Sequence, residues 1–455
     1  MPAISSEPTI IGATAFETRG VAVGSRLAVH QKSTIAPGST TRSKKLGSAE
    51  QARLAALLTF CDPLPHDCSS LLALSLREWT KLLHWLDISG LALYFADHLS
   101  QTGRASWLPA PIADGLQRRL EENTRRTASM LAESVAIQRE FQEAGLCYAL
   151  LKGMSFWPNS VPRPELRSQF DLDYLVAEND IPEAHRILAR IGYRLYLSNG
   201  RSWEFKKNEK PGVMLKEMYR DTGAFRVEVH AQPTGIGSAS PLQTLEWREL
   251  GGFAMPVLSP VELFLGQGMH AFKHICSEFV RAAHLLEFRR HALFRRDDPS
   301  FWCALRERAR THPRVVMGLG ITTFLITRVM GEFAPETLTS WTVDRLPPRV
   351  KLWIETYGDR AVLGSFPGSK LYMLLKRELE EQASITQFSG WRALVPHCLP
   401  QPIIRANPNE SLSVRFGRYR MQLALINRRL RFHFIEGLRF AREAHRWRRL
   451  LSQGS

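Results

Sequence analysis

Phe170-Asp171-Leu172-Asp173-Tyr174-Leu175-Val176 is the stretch on which the reading of this chain turns. It is apolar apart from two aspartates set two residues apart. In an extended strand successive side chains alternate faces. Asp171 and Asp173 therefore share one face, and Phe170, Leu172 and Tyr174 share the other. Two carboxylates side by side repel, and burying them unpaired is costly. A chain tolerates this mainly where a divalent cation sits between them, which points to Mg²⁺ and to a phosphate-bearing substrate. The plainer alternative is a solvent-facing edge strand that carries like charges on one face.

Working outward, a second strand over 224–231 holds Glu228 and His230 on the face of Arg226, with Phe225, Val227 and Val229 opposite. Glu228 as third carboxylate would complete a cluster able to clamp two Mg²⁺ ions on a triphosphate and to activate an attacking hydroxyl. As an ion-pair partner near Arg226 it would be ordinary. His230 suits Mg²⁺ poorly and reads as an orienting hydrogen-bonder. Upstream, a short strand over 147–151 ends at Lys152-Gly153, where a glycine lets backbone N–H groups approach an oxyanion. Lys152 adds charge and Ser155 a hydroxyl at a helix start. Arg167 can hold the carboxylates or contact phosphate. Downstream, His270 and His274 stand at the i, i+4 spacing of a helical metal pair with Lys273 between them. No third ligand is evident in the sequence, so a packing or substrate-contacting role is the reading there.

The remaining pattern is helical on both sides of this region. At 455 residues the chain exceeds one ordinary core. Segment 1–47 is rich in Ser, Thr, Gly and Ala without periodicity and reads as disordered. A helical region follows over 48–144, a sheet-bearing core over 145–258, helices over 259–358 and a basic helical region over 359–455. Within the core, strands are expected over 203–207, 213–220 and 224–231, with Asp221-Thr222-Gly223 as the hairpin turn between the last two. Strands mixed with helices and then in succession predict an α+β class, a small mixed sheet with helices on one side.

The six cysteines are scattered without zinc-knuckle spacing and read as free thiols of a reducing compartment. No basic-then-apolar leader opens the chain, and the uncharged run 315–327 is too short to span a bilayer. A cytoplasmic protein is expected. Twelve arginines against three acidic residues over 405–455 carry nine of the sixteen net positive charges. Such a tail meets an anionic partner or is a solvated helix face, and its Leu423, Leu430, Phe434 and Leu438 equally fit a packed amphipathic helix.

Five motifs now stand in order: Leu151-Lys152-Gly153, Arg167, Asp171-Leu172-Asp173-Tyr174-Leu175-Val176, Glu228-Val229-His230, and His270-Ala271-Phe272-Lys273-His274. In order and spacing the chain resembles, over roughly 48–295, the uncharacterised bacterial nucleotidyltransferases of the polymerase-beta-like superfamily. The resemblance implies a nucleotidyltransferase core flanked by N-terminal and C-terminal helical regions. It implies Asp171, Asp173 and Glu228 as ligands of two Mg²⁺ ions. It places Lys152, Gly153, Ser155 and Arg167 on the nucleotide, although Met154 interrupts the superfamily's Gly-Ser pair. His230, His270, Lys273 and His274 become substrate contacts or supporting residues. The expected reaction moves a nucleoside monophosphate from an NTP such as ATP to a hydroxyl of a small-molecule, saccharide or protein acceptor, releasing pyrophosphate. The alternatives are an inactive module of this fold and a nucleic-acid-directed protein guided by the basic tail.

Overall fold

The computed structural model describes residues 46–198, 200–207, 217–223, 225–232, 240–383 and 411–453. Residues 1–45 of the expected disordered segment and the proline-rich stretch before the last helix lie outside the described residues.

Three helices lead in: α1 (Ser48–Leu58), α2 (Leu76–Ser89) and α3 (Ala92–Gln101). Ser75 opens α2 with a reciprocal cap, its N–H donating to Glu78 Oε2 at 2.9 Å and its hydroxyl accepting from the Glu78 N–H at 3.4 Å. The 34-residue α4 (Ala110–Glu143) follows. Then come β1 (Tyr148–Leu151), β2 (Asp171–Ala177), α5 (Ile181–Arg190), β3 (Arg194–Ser198), β4 (Ser202–Lys206), β5 (Arg226–Gln232), β6 (Leu245–Leu250) and β7 (Phe253–Leu258). They form one mixed seven-stranded sheet in the order β3-β4-β5-β2-β1-β7-β6. β2 runs parallel to β5 and antiparallel to β1, and β1 runs parallel to β7.

One face of the sheet is apolar. Leu172, Tyr174, Val227 and Val229 pack with Met130, Ile137 and Phe141 of α4 and with Ile187 and Leu188 of α5. The α+β class and the covered face follow the alternation read in the sequence.

Two strand assignments change. Residues 213–216 lie outside the described residues, and 217–220 form a turn rather than a strand. Met218 and Tyr219 are buried in the helical core, and the Tyr219 hydroxyl donates to Asp87 Oδ1 at 2.9 Å. That anchorage takes the segment away from the sheet, so β4 pairs directly with β5 and 221–223 is no hairpin between strands. The β6–β7 hairpin is an addition. Its turn is Gly251-Gly252, with φ of 61° and 75°, the left-handed backbone that such a tight turn requires.

Helices α6 (Pro260–Ile275), α7 (Ala282–Phe294), α8 (Pro299–Ala309), α9 (Pro313–Met330), α10 (Glu336–Thr339), α11 (Pro348–Leu363) and α12 (Tyr372–Ala383) follow. They share one hydrophobic cluster with α1–α3. α9 has the length and composition of a membrane span, and 56% of it is buried inside this fold. The last helix, α13 (Leu412–Gln453), docks by its C-terminal part. Trp447 is buried and donates to Glu378 Oε1 at 2.8 Å, and Arg360 pairs with Glu443 at 2.8 Å. Leu423, Leu430, Phe434 and Leu438, which in the sequence suit a packed amphipathic helix as well as a solvated face, are 65%, 56%, 71% and 52% exposed. The packed side of α13 is that of Phe432, Phe440, Ala444 and Trp447.

Candidate active site

The parallel register of β2 and β5 builds the site. Asp173 lies opposite Glu228, and Asp171 lies opposite Arg226. Register partners point to the same side of a sheet. The carboxylates and His230 thus share the face away from α4. The antiparallel β4 adds Glu204 opposite Glu228 and Ser202 opposite His230. The Ser202 hydroxyl donates to Glu228 Oε1. Glu204, a fourth carboxylate on this face, is paired with Lys206 at 3.1 Å and Arg226 at 3.5 Å. Sequence reading passes over Glu204 and Ser202, because only the register shows what they face.

Asp173, Glu228 and His230 each bring a ligand atom within 4.8 Å of the other two. Asp171 stands outside this trio. It is two residues along the strand, about 7 Å at the rise of a β-strand, and beside Arg226. Asp173 is buried, with Lys152 Nζ at 2.7 Å and His230 Nε2 at 3.2 Å from its Oδ1. His230 Nε2 also lies 3.7 Å from Glu228 Oε2, so the imidazole bridges the two carboxylates.

The two aspartates are driven apart in proton affinity. Burial and the charge of Asp173 raise the Asp171 carboxyl, against the pull of Lys152, Arg226 and Arg167. Burial also opposes the charge on Asp173, but the hydrogen bonds from His230 and Lys152 outweigh it and lower that carboxyl. Lys152 is opposed by burial too, and Asp173, Asp171 and Glu228 raise it overall. The set pairs a carboxylate held ionised with a neighbour that holds its proton more readily.

The Lys152-Gly153 turn is strained. Lys152 has φ of 49°, the sole positive value at a non-glycine residue among the described residues. Strain of this kind clusters at functional sites. Gly153 follows at φ 41°, where a Cβ would come within 2.1 Å of Gln169 Nε2. Gln169 Nε2 in turn donates to the backbone oxygen of Asp171 at 2.8 Å. Gly153→Ala is expected to destabilise the fold by roughly 2–3 kcal/mol through backbone strain and overpacking, read as a lower midpoint in chemical denaturation. Ser155 is buried, and its hydroxyl closes this turn by donating to the Lys152 carbonyl at 2.8 Å.

Arg167 is held by Glu287 of α7, Nε to Oε1 at 2.9 Å, and its guanidinium lies over Phe156. The Tyr94 hydroxyl donates to the same Glu287 oxygen at 3.0 Å. Burial works to raise Glu287, yet Arg167, His284 and Arg281 overcome it and hold the carboxyl down at about 2. The loop that carries Arg167 is fixed from α4. Asn123 Nδ2 donates to the carbonyls of Glu165 and Arg167, at 2.6 and 3.2 Å. The buried Arg126 donates to those of Gln169 and Arg220, at 3.0 and 2.8 Å. Sequence reading does not single out Asn123 or Arg126. The available signal was Asn123 itself, seven residues from both Leu116 and Met130 in the buried stripe.

His270 and His274 meet on α6 as their spacing predicts, and His284 of α7 joins them. Lys273 is exposed.

No curated protein matches the chain. Solved structures similar to it include the crystal structure of ANT(2'')-Ia in complex with adenylyl-2''-tobramycin, at 13% identity over 41% of this chain and 98% of that one, with a TM-score of 0.30. A solution structure of the same antibiotic-resistance factor covers the same shares at 13% identity and a TM-score of 0.26. The crystal structure of an antigenic nucleotidyltransferase-like protein from Paracoccidioides brasiliensis matches at 14% identity over 41% of this chain and 89% of that one, with a TM-score of 0.25. Residues 75–323, more than half of the chain and all five motifs, match the family described as uncharacterised nucleotidyltransferases. The chain belongs to that family and is a transferase of nucleotidyl groups.

Proposed function

We propose that this enzyme moves a nucleoside monophosphate from an NTP to a hydroxyl acceptor in an Mg²⁺-dependent reaction. The observation that carries the reading is Asp173 facing Glu228 across β2 and β5, with Asp171 on the same face and the strained Lys152-Gly153 turn alongside. The donor set is carboxylate oxygen with no thiolate, which fits a hard cation. Asp171, Asp173 and Glu228 would hold Mg²⁺, and two ions are expected. When bound, Mg²⁺ neutralises triphosphate charge and lowers the pKa of a coordinated hydroxyl.

The chain's own groups supply the rest. Glu228, fixed by Ser202, accepts the proton of the acceptor hydroxyl. The hydroxyl oxygen forms a bond to the α-phosphorus as the bond from that phosphorus to the bridging β-phosphate oxygen breaks, and pyrophosphate leaves. His230 holds Asp173 and Glu228 in mutual register. Lys152 brings positive charge to the place where phosphate oxygens gather, and Gly153 lets the turn that carries it pack against Gln169. Arg167 adds charge from the loop beside β2.

A cytoplasmic setting is proposed from the sequence alone, in which the scattered cysteines read as free thiols. A second reading, with an anionic macromolecule such as RNA as acceptor, is favoured by α13, where arginines and exposed apolar side chains share the solvent-facing part.

The test incubates the full chain, Mg²⁺ and each α-labelled nucleotide with cell extract. Label on a small molecule, saccharide or protein supports the first reading, and label on RNA the second. No transfer and no nucleotide binding by calorimetry would leave an inactive module of this fold.

A further inference from the structure

His270 and His274 stand one turn apart on α6, and His284 packs against both from α7. The ring centroids are 4.7, 4.5 and 4.7 Å apart in the three pairs. One ring nitrogen from each lies within 4.8 Å of those of the other two. His284 is buried and the other two are half-buried. Among the described residues the His270 and His274 rings make no hydrogen bond.

The surroundings suit metal ligation. A metal binds the neutral form of each imidazole through one ring nitrogen. Glu287 Oε2 lies 3.7 Å from His284 Nδ1. A carboxylate behind a histidine is the arrangement that orients metal-ligating imidazoles. The i, i+4 pair with a third histidine from the next helix gives three nitrogen donors and leaves one position open. Nitrogen donors select zinc-type ions over Mg²⁺.

We propose that His270, His274 and His284 bind one divalent transition-metal ion of the zinc type, separate from the carboxylate site on the sheet. The inference does not rest on nucleotidyl transfer, because its readout is bound metal.

The experiment uses the full chain, stripped with a chelator and dialysed. It is titrated with Zn²⁺ by calorimetry and, in parallel, with Co²⁺ as a visible-absorption probe. Roughly one tight equivalent is expected, with cobalt d–d bands and no thiolate charge-transfer band. His270→Ala and His274→Gln are each expected to weaken that equivalent by about 100-fold or more, beyond what an outer-shell partner is worth. Asp173→Asn is expected to leave it in place. Circular dichroism melts show whether each variant is folded, and the cobalt spectrum of the unaltered chain decides the matter if the histidine variants are not. The proposal falls if the unaltered chain takes up no tight equivalent, if a thiolate band appears, if the folded histidine variants bind as before, or if Asp173→Asn removes the ion.

Discussion

Asp173→Asn is expected to lower nucleotide transfer by at least about a thousandfold, or about 4 kcal/mol of transition-state stabilisation. Asp173 is the most deeply buried member of the acidic face and the one to which both Lys152 and His230 are bonded. Asparagine keeps its shape and removes the charge that would hold a cation and order the two basic groups. The fold should survive. The substitution relieves a buried charge and leaves Lys152 without its partner, but the Lys152 side chain is 31% exposed and solvent screens that loss. Glu228→Gln should act in the same direction, since it removes the proton acceptor while keeping a group for Ser202 to meet. Initial rates with the labelled nucleotide are the measure, with circular dichroism as the fold check. Activity within tenfold of the unaltered chain would take Asp173 out of the reaction.

Stability in acid should fall steeply. His291 is buried, its Nδ1 2.7 Å from Gln267 Oε1, and burial together with Arg295 and Arg248 pushes it down to about 3. In an unfolded chain a histidine titrates near 6.5. The folded value is the depressed one, so the full stability is present above about pH 6.5. It is lost as pH falls toward 3, because only the unfolded chain takes the proton. The slope is about 1.4 kcal/mol per pH unit for one such group, or roughly 3 kcal/mol between pH 6.5 and 4.5. His274 and His284 carry the same sign in the metal-free chain. Glu287 acts in a lower window, its contribution present above the ordinary glutamate range and lost only below it. Urea midpoints over a pH series are expected to drop from pH 7 to 5, and His291→Gln should flatten the curve by one proton. A level profile over that range would contradict the burial argument.

The alternation rule alone placed Asp171 with Asp173 and Glu228 with His230, because period two is a local property of any strand. Which of them meet was not local. Parallel register set Asp173 opposite Glu228 and left Asp171 beside Arg226, a relation between segments more than fifty residues apart. The hairpin β6–β7 was legible in Gly251-Gly252, but β7 is an unbroken apolar run, Phe253–Leu258, without the period of two that marks a half-buried strand. The segment 213–220 had strand composition, but Met218 and Tyr219 belong to a helical core that the sequence does not locate. His284 left no mark at all: its position relative to His270 and His274 follows from how α7 folds back on α6. In α13 the apolar positions exceeded what one face can bury, and only docking showed that Trp447 lay on the packed side.

β2 is fourth of seven strands and is paired on both flanks, with Leu151 of β1 and Glu228 of β5 as the register partners of Asp173. Its amide protons are therefore among the last to exchange with solvent, whereas β3 and β6 lie at the margins and can fray. The spacing between the two key acids is thus tied to global opening of the sheet. On warming, catalytic loss and cooperative melting should arrive together, with no earlier stage in which the scaffold persists and the acids have drifted apart.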